Sequence, residues 1–434
     1  MPRPSPVGAE YHALLARHEA MRLRRQLLSP GQSPGTPAGH NPTAGNRDGS
    51  YDGAADQRVI TEHLALVTPF GELITHLYDA MFERWPSLRS LFPESMEFQR
   101  AHLAKVFWYL VENLHRPQDV AEQFFRLGRD HRKLGVRPAH YRAFEAALRE
   151  ALRRTAGERW SAEAEEAWIR MLRFAVAAMV RGADAAVGEP ASWQATVTSH
   201  ELRRPDLAVL RVRAHEPYPW RAGQYAAVES PRLPQAWRQY TIARAPRPGG
   251  ELEFHVRRTG SGGVSEALVA HTRAGDTLRL GPAQGTTTLD DDLTRDVLLV
   301  CGGTGWATGK ALLDELAARR TPVRSVLLIL AARGAEELYD ADWAASLERR
   351  RPWLRVVPVL GTGESGALAD ALARHGDLSG HQALVSGPPG MVTAVVSRLT
   401  SLHALPVDRL RHDPLPDTLS PTAHRAAAFE EARQ

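Results

Sequence analysis

One short segment, RQYTIA at residues 238–243, combines side chains that suit a flavin. Arg238 and Tyr240 stand two apart, so they share a face if the segment is a strand. A flavin takes an aromatic ring against its isoalloxazine and a cation near its pyrophosphate, and Thr241 adds a hydrogen-bonding hydroxyl. Downstream, GGVS at 262–265 offers backbone N–H groups in a glycine turn that can hold phosphate. Together these residues predict an FAD site.

Two glycine-containing turns further along predict a second nucleotide site. In VCGGTGWATGKALLDEL (300–316) an apolar stretch leads into Gly302, Gly303 and Gly305 and then into a helix. Glycines let the backbone approach a pyrophosphate, and the helix N-terminus offers free N–H groups. A tight turn without a ligand is the alternative explanation. A second turn, SGPPGM (386–391), follows another buried stretch, and ligands collect at such carboxyl ends of parallel strands.

One histidine has an unusual context, LGRDHRKLGVRPAHYRAF at 127–144. His131 lies near a predicted helix end, before a Gly-Val-Arg-Pro break and a new helix that contains Tyr141. A lone histidine in a helical domain is more often structural than a ligand. Both roles therefore remain open for His131 on the residues alone.

The elements that position these residues form three regions. From about 58 to 187 apolar residues recur at helical spacing, as Trp168 and Met179 do on one face. From about 190, short alternating stretches between Gly and Pro turns predict an antiparallel barrel. From about 295, longer apolar strands alternate with helices, which predicts an α/β doubly wound parallel sheet. We expect a multidomain chain with an all-α domain, a β-barrel and an α/β domain at 58–188, 189–292 and 293–417.

Both ends of the chain predict extensions without a core of their own. Residues 8–28 form a basic amphipathic pattern, expected as a loosely attached helix; a weak contact with a membrane surface or a partner is the alternative. Residues 29–57 are rich in Ser, Pro and Gly and predict a flexible linker, so 1–57 form one N-terminal extension. Residues 418–434 are expected to form a polar tail.

The composition excludes several classes of protein. The 434 residues include one cysteine, Cys301, which excludes a disulfide framework and predicts a reducing, cytoplasmic location. The net charge of +4 is too small to indicate a nucleic-acid partner. No apolar stretch is long enough for a transmembrane segment, and the N-terminus lacks the apolar core of a signal peptide.

The order Arg-x-Tyr-Thr, Gly-x-Val-Ser, Gly-Gly-Thr-Gly and a late Gly-Pro resembles the ferredoxin–NADP⁺ reductase superfamily over about residues 190–415. The resemblance implies that FAD is bound by Tyr225, Arg238, Gln239, Tyr240, Thr241, Gly263, Val264 and Ser265. It implies that a nicotinamide dinucleotide is bound by Gly303, Thr304, Gly305, Trp306, Ala307, Thr308, Gly387 and Pro388.

Several positions depart from this superfamily pattern or bear on it. Thr308 stands where Pro is frequent but can still cap a helix, and Ser386 stands where Cys is frequent, which affects the geometry of hydride transfer. Where the superfamily places an acidic and then an aromatic residue beside the flavin, this chain has Asp413 and Leu415. An aliphatic shield would leave the flavin easier for the nicotinamide to reach. Arg333 ends the second strand of the sheet and can meet a 2′-phosphate, which favours NADPH over NADH; a solvated Arg is the commoner explanation.

The helical region resembles bacterial haemoglobins and flavohaemoglobins. The segment around His131 resembles the one that carries the proximal ligand of haem b, so the resemblance implies iron bound by His131 Nε2. Residues 74–92 and 94–107 resemble the distal side. They supply the hydrogen-bond donors Tyr78 and Gln99, the porphyrin-packing Phe92 and the apolar Leu103. A phenol O–H and an amide N–H₂ can donate to a partly negative diatomic ligand in a pocket of low dielectric.

The proximal side departs from this family. There a Tyr and a Glu hold the ligand; Tyr141 fills the first role, but Ala185 stands at the Glu position. Asp184 and Glu189 are acidic but displaced along the chain, and Asp130 precedes the ligand where Lys is usual. Either another acid substitutes, or the electron push onto iron is weaker in this chain.

Three functions fit these expectations. In the first, NAD(P)H reduces FAD, FAD reduces haem, and the protein is a nitric oxide dioxygenase that converts NO and O₂ to nitrate. The second is a divergent flavohaemoglobin that acts as a flavin-dependent reductase or oxidase on another substrate. The third is a haem-based gas or redox sensor that signals through residues 1–57. The first is the main expectation, with O₂, NO and a nicotinamide dinucleotide as small-molecule partners.

Overall fold

The structure, a computed structural model, describes residues 51–319, 325–361 and 366–413. These residues form two compact units. The first comprises 51–89, Leu110–Arg126 and Val136–Gly182. The second comprises Ser90–Tyr109, Leu127–Gly135 and the described residues from Ala183 onwards. The amphipathic segment at 8–28, the polar tail at 418–434 and Leu415 lie outside the described residues, so the predictions made for them stay predictions.

In the described residues, six α-helices fill the chain from Gly53 to Ala185. They are α1 (Gly53–His63), α2 (Phe70–Arg84), α3 (Glu97–Asn113), α4 (Pro117–His131), α5 (Pro138–Ala156) and α6 (Ala162–Ala185), with 3₁₀ turns at Leu64–Leu66, Pro86–Leu91, Arg132–Leu134 and Gly157–Arg159. Helices α3 and α4 each continue from one unit into the other. Helix α1 begins before residue 57, where we expected the linker to end. Asp52 explains this, because its side chain accepts a hydrogen bond from Ala55 N at 2.9 Å and caps the helix.

The first unit is built around large apolar side chains, with α2 packed against α5. Trp168 of α6 is fully buried, as its helical spacing predicts, and its ring meets the Phe70 ring edge-on with centroids 6.0 Å apart. Gly53 permits a close approach of two backbones, because a Cβ there would lie 1.9 Å from Leu114 O.

The second unit contains a six-stranded antiparallel sheet closed into a barrel. Its strands are β1 (Trp193–Arg204), β2 (Leu207–Ala214), β3 (Tyr225–Glu229), β4 (Trp237–Thr241), β5 (Glu251–Arg257) and β6 (Thr277–Leu280), in the order β4-β3-β6-β1-β2-β5. A bridge between Ile242 and Phe254 joins the two edges. The helical turn α7 (Val264–Glu266) and a π-helical turn (Ala267–His271) follow β5. The alternating pattern does not predict β6, whose four residues are defined by pairing with β1 and β3.

A five-stranded parallel sheet follows the barrel in the second unit. Strands and helices alternate as β7 (Val297–Gly302), α8 (Trp306–Ala318), β8 (Val326–Ala332), α9 (Ala341–Arg350), β9 (Leu354–Leu360), α10 (Ala367–Arg374), β10 (Gln382–Ser386), α11 (Pro389–Ser401) and β11 (Leu410–His412). Short 3₁₀ turns lie at Gly303–Gly305, Ala335–Glu337 and Val407–Arg409. The strand order is β11-β10-β7-β8-β9. The order reverses between β7 and β10, and such a switch point opens a ligand-binding crevice at the carboxyl ends of the strands.

The predicted fold class is confirmed: helices come first, then an antiparallel barrel, then a doubly wound parallel sheet. Strands β7 and β8 are buried along their whole length, as strands covered on both faces must be. Within the part of the chain that the structure describes, no helix is long and apolar enough to cross a membrane.

Candidate functional site

The predicted flavin residues come together on two neighbouring strands of the barrel. Tyr225 of β3 is the cross-strand partner of Thr241 of β4. Arg238 and Tyr240 share the opposite face from Gln239, which is exposed, while Tyr240 packs partly against the barrel core. Burial raises the pKa of Tyr240, so its hydroxyl stays a donor at neutral pH.

Arg238 is a half-buried cation whose surroundings suit an anionic ligand. Its guanidinium lies 4.0 Å from the centroid of the Phe98 ring of α3, and Nη1 donates to Trp237 O at 2.8 Å. Burial lowers the pKa of Arg238, and among the described residues no carboxylate pairs with it. A half-buried, uncompensated cation beside Tyr240 fits the pyrophosphate of a flavin dinucleotide.

The turn at Gly263–Ser265 lies where a phosphate can approach. Helix α7, which begins at Val264, contacts β4. Val264 and Ser265 are buried, whereas a Cβ added at Gly263 would meet open space. Ser265 Oγ accepts a hydrogen bond from Thr259 N at 3.2 Å, which holds the turn in place. The residues present therefore fit FAD.

The two glycine turns of the α/β region meet at the switch point of the sheet. The turn Gly303–Gly305 follows β7, and Gly387 and Pro388 follow β10, the neighbouring strand. They touch: a Cβ at Gly305 would lie 2.3 Å from Ser386 O, so only glycine fits there. A shallow pocket opens beside them, lined in part by Gly303, Trp306, Leu330, Tyr339 and Asp340. This arrangement fits a dinucleotide pyrophosphate.

The remaining predicted dinucleotide residues lie at the start of α8. Thr304 is half-buried in the turn, whereas Trp306 and Ala307 are buried. Trp306 Nε1 donates to Asp340 Oδ2 at 3.1 Å. Arg333, for which the sequence left both a 2′-phosphate contact and a solvated side chain open, pairs with Glu337, with Nε 3.0 Å from Oε1. The hydrogen bond from Arg333 lowers the pKa of Glu337 to about 2.

A chain of small polar groups joins the two glycine turns. The hydroxyls of Thr308 and Ser386 lie 3.0 Å apart, and Ser386 Oγ donates to Asp413 Oδ2 at 2.7 Å. Gly387 N donates to the same oxygen at 2.9 Å. Burial nevertheless raises the pKa of Asp413. The Thr and Ser that depart from the superfamily pattern are therefore hydrogen-bonded to each other beside the predicted dinucleotide site.

His131, the predicted iron ligand, is the last residue of α4. Its Nδ1 lies 3.0 Å from Leu127 O and must carry the proton, because a carbonyl oxygen only accepts. Nε2 has no hydrogen-bond partner among the described residues. Burial lowers the pKa of His131, which favours the neutral imidazole that binds metal. These features fit a haem ligand.

The predicted distal residues lie in both units. In the second unit, Gln99 and Leu103 are half-buried and lie one turn apart on α3. Phe92 lies before α3, directly after the 3₁₀ turn Pro86–Leu91. Gln99 Oε1 is buried and has no partner within the described chain. In the first, Tyr78 of α2 is buried and stacks on Phe82, with centroids 5.8 Å apart.

Within the part of the chain that the structure describes, no carboxylate is hydrogen-bonded to His131 in the role of the Glu. Ala185 is exposed at the end of α6. Glu189, one of the acids considered as a substitute, pairs with Arg129 through two 2.9 Å hydrogen bonds. In the described residues, the acceptor on His131 Nδ1 is a backbone carbonyl. Tyr141 lies on α5 of the first unit, and burial raises its pKa to about 12.

Gln284 is a candidate functional residue that sequence motifs do not indicate. Its Nε2 donates to Asp130 Oδ1 at 2.7 Å, and its Oε1 accepts from the hydroxyl of Tyr225 at 3.4 Å. Gln284 therefore lies between a predicted flavin residue and the residue that precedes His131. No local pattern reveals it, because its partners are far away in sequence.

Three family profiles match consecutive parts of the chain. Residues 75–179 match the Globin family, residues 194–288 the Oxidoreductase FAD-binding domain and residues 299–397 the Oxidoreductase NAD-binding domain. The fold, the candidate sites and these matches define a haem- and flavin-containing oxidoreductase.

A flavohemoprotein from Bordetella pertussis is 30% identical over 309 residues, which cover 66% of this chain and 76% of that protein. The crystal structure of flavohemoglobin from Malassezia yamatoensis, with bound FAD and heme, has the same fold, with a TM-score of 0.66 and 17% identity over 82% of this chain and 98% of that one. The protein belongs to the flavohaemoglobin family, and its cofactors are haem, FAD and a nicotinamide dinucleotide.

Reductase components of other oxygenase systems are also similar. The ferredoxin–NAD(P)⁺ reductase component of a naphthalene 1,2-dioxygenase system from Pseudomonas putida is 32% identical over 221 residues, 49% of this chain and 66% of that protein. The reductase component of a phenol 2-monooxygenase from a Pseudomonas species is 27% identical, and the match covers 58% of its length. The chain thus spans somewhat less than two thirds of these relatives.

Proposed function

We propose that the protein is a nitric oxide dioxygenase that takes electrons from NAD(P)H, passes them through FAD to haem, and combines NO with O₂ to give nitrate. Family membership and the set of cofactors support this proposal. The observation that carries it is His131, a neutral imidazole whose Nδ1 is held by Leu127 O and whose Nε2 is left for iron.

The electron balance of this reaction is simple. When bound, haem iron supplies the site at which O₂ and NO react, and FAD divides the electron pair of a hydride into single electrons. One NO and one O₂ need one electron to become nitrate, so each NAD(P)H supports two nitrates. The protein must therefore admit small gases at one site and a dinucleotide at another.

The residues of the reductase part have separable roles in this proposal. Gly303, where an added Cβ would meet open space, leaves room for the dinucleotide pyrophosphate, and Gly305 lets the turn approach Ser386 closely. Arg238 neutralises the flavin pyrophosphate. The hydroxyl of Ser386 is held by Asp413 and, in this proposal, would help to position the nicotinamide when it is bound. These groups bind and orient, and they need not change protonation state.

The residues of the globin part orient the iron ligand His131 and the bound gas. The carbonyl of Leu127 keeps the proton of His131 on Nδ1, so that Nε2 remains a ligand. The amide of Gln99 and the hydroxyl of Tyr78 donate hydrogen bonds to a small partly negative ligand. Leu103 and Phe92 supply the apolar walls that exclude water.

An NO electrode tests the proposal. Purified protein should consume NO only when both NAD(P)H and O₂ are present, with nitrate as product. His131→Ala should abolish NO consumption and haem absorbance, yet keep NAD(P)H-dependent reduction of ferricyanide at the flavin. His403→Ala, a substitution outside all candidate sites, should behave like the parent. A haem- and FAD-loaded parent that consumes no NO would refute the proposal.

A second function, a flavin-dependent reductase of another substrate, is favoured by one observation. The acceptor on His131 Nδ1 is a backbone carbonyl rather than a carboxylate, which gives iron a weaker electron push. Acceptor turnover that His131→Ala leaves unchanged, in a parent that consumes no NO, would support this function. The sensor hypothesis depends on residues 1–57, of which 1–50 lie outside the described residues. Deleting 1–57 tests it, because a sensor should then lose a partner but keep NAD(P)H oxidation.

A further inference from the structure

A group of buried polar side chains connects strand β5 of the barrel with helix α8 of the parallel sheet. We call it the buried network; it comprises Arg211, Glu253, His255, Lys310, Tyr339 and Asp340. The side chains of Glu253 and His255 are 4% and 0% exposed, and those of Lys310 and Asp340 are 11% and 9% exposed. The sequence motifs predict none of these residues as a cofactor ligand, and Tyr339 and Asp340 line the pocket beside the dinucleotide turn.

Glu253 is the centre of the network. Its Oε2 accepts from Arg211 Nε at 3.0 Å, and its Oε1 accepts from Lys310 Nζ at 2.7 Å and from His255 Nε2 at 3.0 Å. Burial opposes the charge of Glu253, but these contacts outweigh it and hold the pKa of the carboxyl well below its usual value. Glu253 is therefore an anion with its lone pairs satisfied.

The contacts of His255 determine its tautomer. Nε2 must carry the proton, because Glu253 only accepts, so Nδ1 accepts from the hydroxyl of Tyr339 at 2.9 Å. Burial lowers the pKa of His255, which keeps the ring neutral. The network thus holds two cations, Arg211 and Lys310, and two anions, Glu253 and Asp340, and its charges balance.

Lys310 extends the network to the dinucleotide-binding turn. Its Nζ also lies 2.9 Å from Asp340 Oδ2, which accepts from Trp306 Nε1 at 3.1 Å. Trp306 is the first residue of α8 and directly follows the turn Gly303–Gly305, which strand β5 contacts. A continuous chain of polar contacts therefore runs from the barrel to the start of α8.

We propose that Lys310 and Glu253 are positioning residues that fix the nicotinamide-dinucleotide turn relative to the flavin barrel. An ammonium group has three N–H donors and can bridge two carboxylates, which an apolar side chain such as Met cannot. Breaking this bridge lets Trp306 and the turn shift against the barrel, so the dinucleotide binds less well and its hydride donor is misplaced. The inference rests on the NAD(P)H-to-FAD step of the proposed function and is independent of NO chemistry.

The test compares two variants with a control. Lys310→Met removes the ammonium group that lies between Glu253 and Asp340, so the variant loses both the bridge and the charge balance. Lys310→Met combined with Asp340→Asn restores the balance but not the bridge. Arg349→Met removes an exposed cation from α9 without touching the network. Calorimetry measures the dissociation constants of NADP⁺ and NAD⁺ for the oxidised protein, ferricyanide turnover gives KM and kcat for NAD(P)H, and thermal unfolding gives the melting temperature.

Both Lys310 variants should raise the dissociation constant and KM by at least about tenfold, which corresponds to about 1.4 kcal/mol. Bound FAD should stay at the parent level, and the double variant should unfold near the parent temperature. If Lys310→Met does not fold, the double variant decides. A double variant that binds dinucleotide within about twofold of the parent would show that the network only stabilises the fold, and would overturn the proposal. A parent that binds dinucleotide but consumes no NO refutes the dioxygenase proposal and leaves this test intact.

Discussion

Gln284 donates a hydrogen bond to Asp130 over 2.7 Å, and Asp130 is the residue directly before the candidate iron ligand His131. Asp130 also pairs with Lys133, whose side chain is buried over the ring of Trp237 at 5.5 Å. Within the second unit, the end of α4 is thus attached to the barrel by an amide hydrogen bond and a cation–π contact, and the ion pair joins Asp130 and Lys133, the two residues that make them.

Gln284→Leu should weaken this attachment while keeping the shape of the side chain. A hydrogen bond to a charged group contributes about 1.5–3 kcal/mol, and small misplacements of reacting groups slow reactions strongly. We expect haem reduction by NAD(P)H under CO to slow at least about threefold, while flavin reduction keeps the parent rate. Anaerobic stopped-flow absorbance separates the two steps, and Gln118→Leu on the exposed side of α4 is the matched control. Equal haem reduction in both variants would show that the contact has no part in electron transfer.

The fold could be predicted because its main elements are local patterns. The spacing around Trp168 and the buried stretches of β7 and β8 each reveal their element within a short window. Strands β6 and β11 have four and three residues, and they exist because neighbouring strands supply their hydrogen bonds. A pattern of that length carries no periodicity, so the sequence does not predict them.

The residues of the candidate site likewise divide into those that local sequence patterns predict and those that such patterns miss. Arg238 and Tyr240 lie two residues apart, and the glycine turns are contiguous, so their chemistry is visible in the sequence. The contact between Asp130 and Gln284 joins residues 154 apart, and that between Glu253 and Lys310 joins residues 57 apart. Such pairs depend on the whole topology.

Glu337→Gln should shift cofactor preference toward NADPH. In the parent, the guanidinium of Arg333 donates hydrogen bonds to the carboxylate of Glu337, so another anion such as the 2′-phosphate of NADPH must compete with that carboxylate for Arg333. Removing the negative charge should raise the ratio of kcat/KM for NADPH to that for NADH by about tenfold, close to 1.4 kcal/mol. Ferricyanide turnover with each cofactor measures the ratio. Glu336→Gln removes an adjacent exposed charge and should leave it unchanged. A ratio that moves equally in both variants would mean that general charge, and not Arg333, determines preference.

Asp413→Asn should stabilise the protein at neutral pH and have no such effect in acid. Burial raises the pKa of Asp413 in the folded state, so the folded protein binds this proton more readily than the unfolded chain. The stability contributed by that proton is present below the ordinary Asp pKa of about 3.9 and is lost as pH rises through the folded-state value. The gap between variant and parent melting temperatures should therefore widen with pH and then stay constant. The exposed Asp408→Asn is the control, and a gap that narrows as pH rises would contradict the sign of this effect.

Gln99→Leu on α3 should lower NO consumption without lowering the melting temperature. Gln99 Oε1 is buried without a partner in the described chain, and a buried acceptor in that state destabilises a protein by about 1–3 kcal/mol. Leucine removes this acceptor at similar volume, so the melting temperature should stay the same or rise. NO consumption should nevertheless fall about tenfold, because the amide donor is lost from the pocket. Thermal unfolding and the NO electrode measure the two effects, with Gln118→Leu again as control. A variant that loses stability and activity together would mean that Gln99 has a structural role, because the removal of an unpaired buried acceptor should not by itself destabilise the fold.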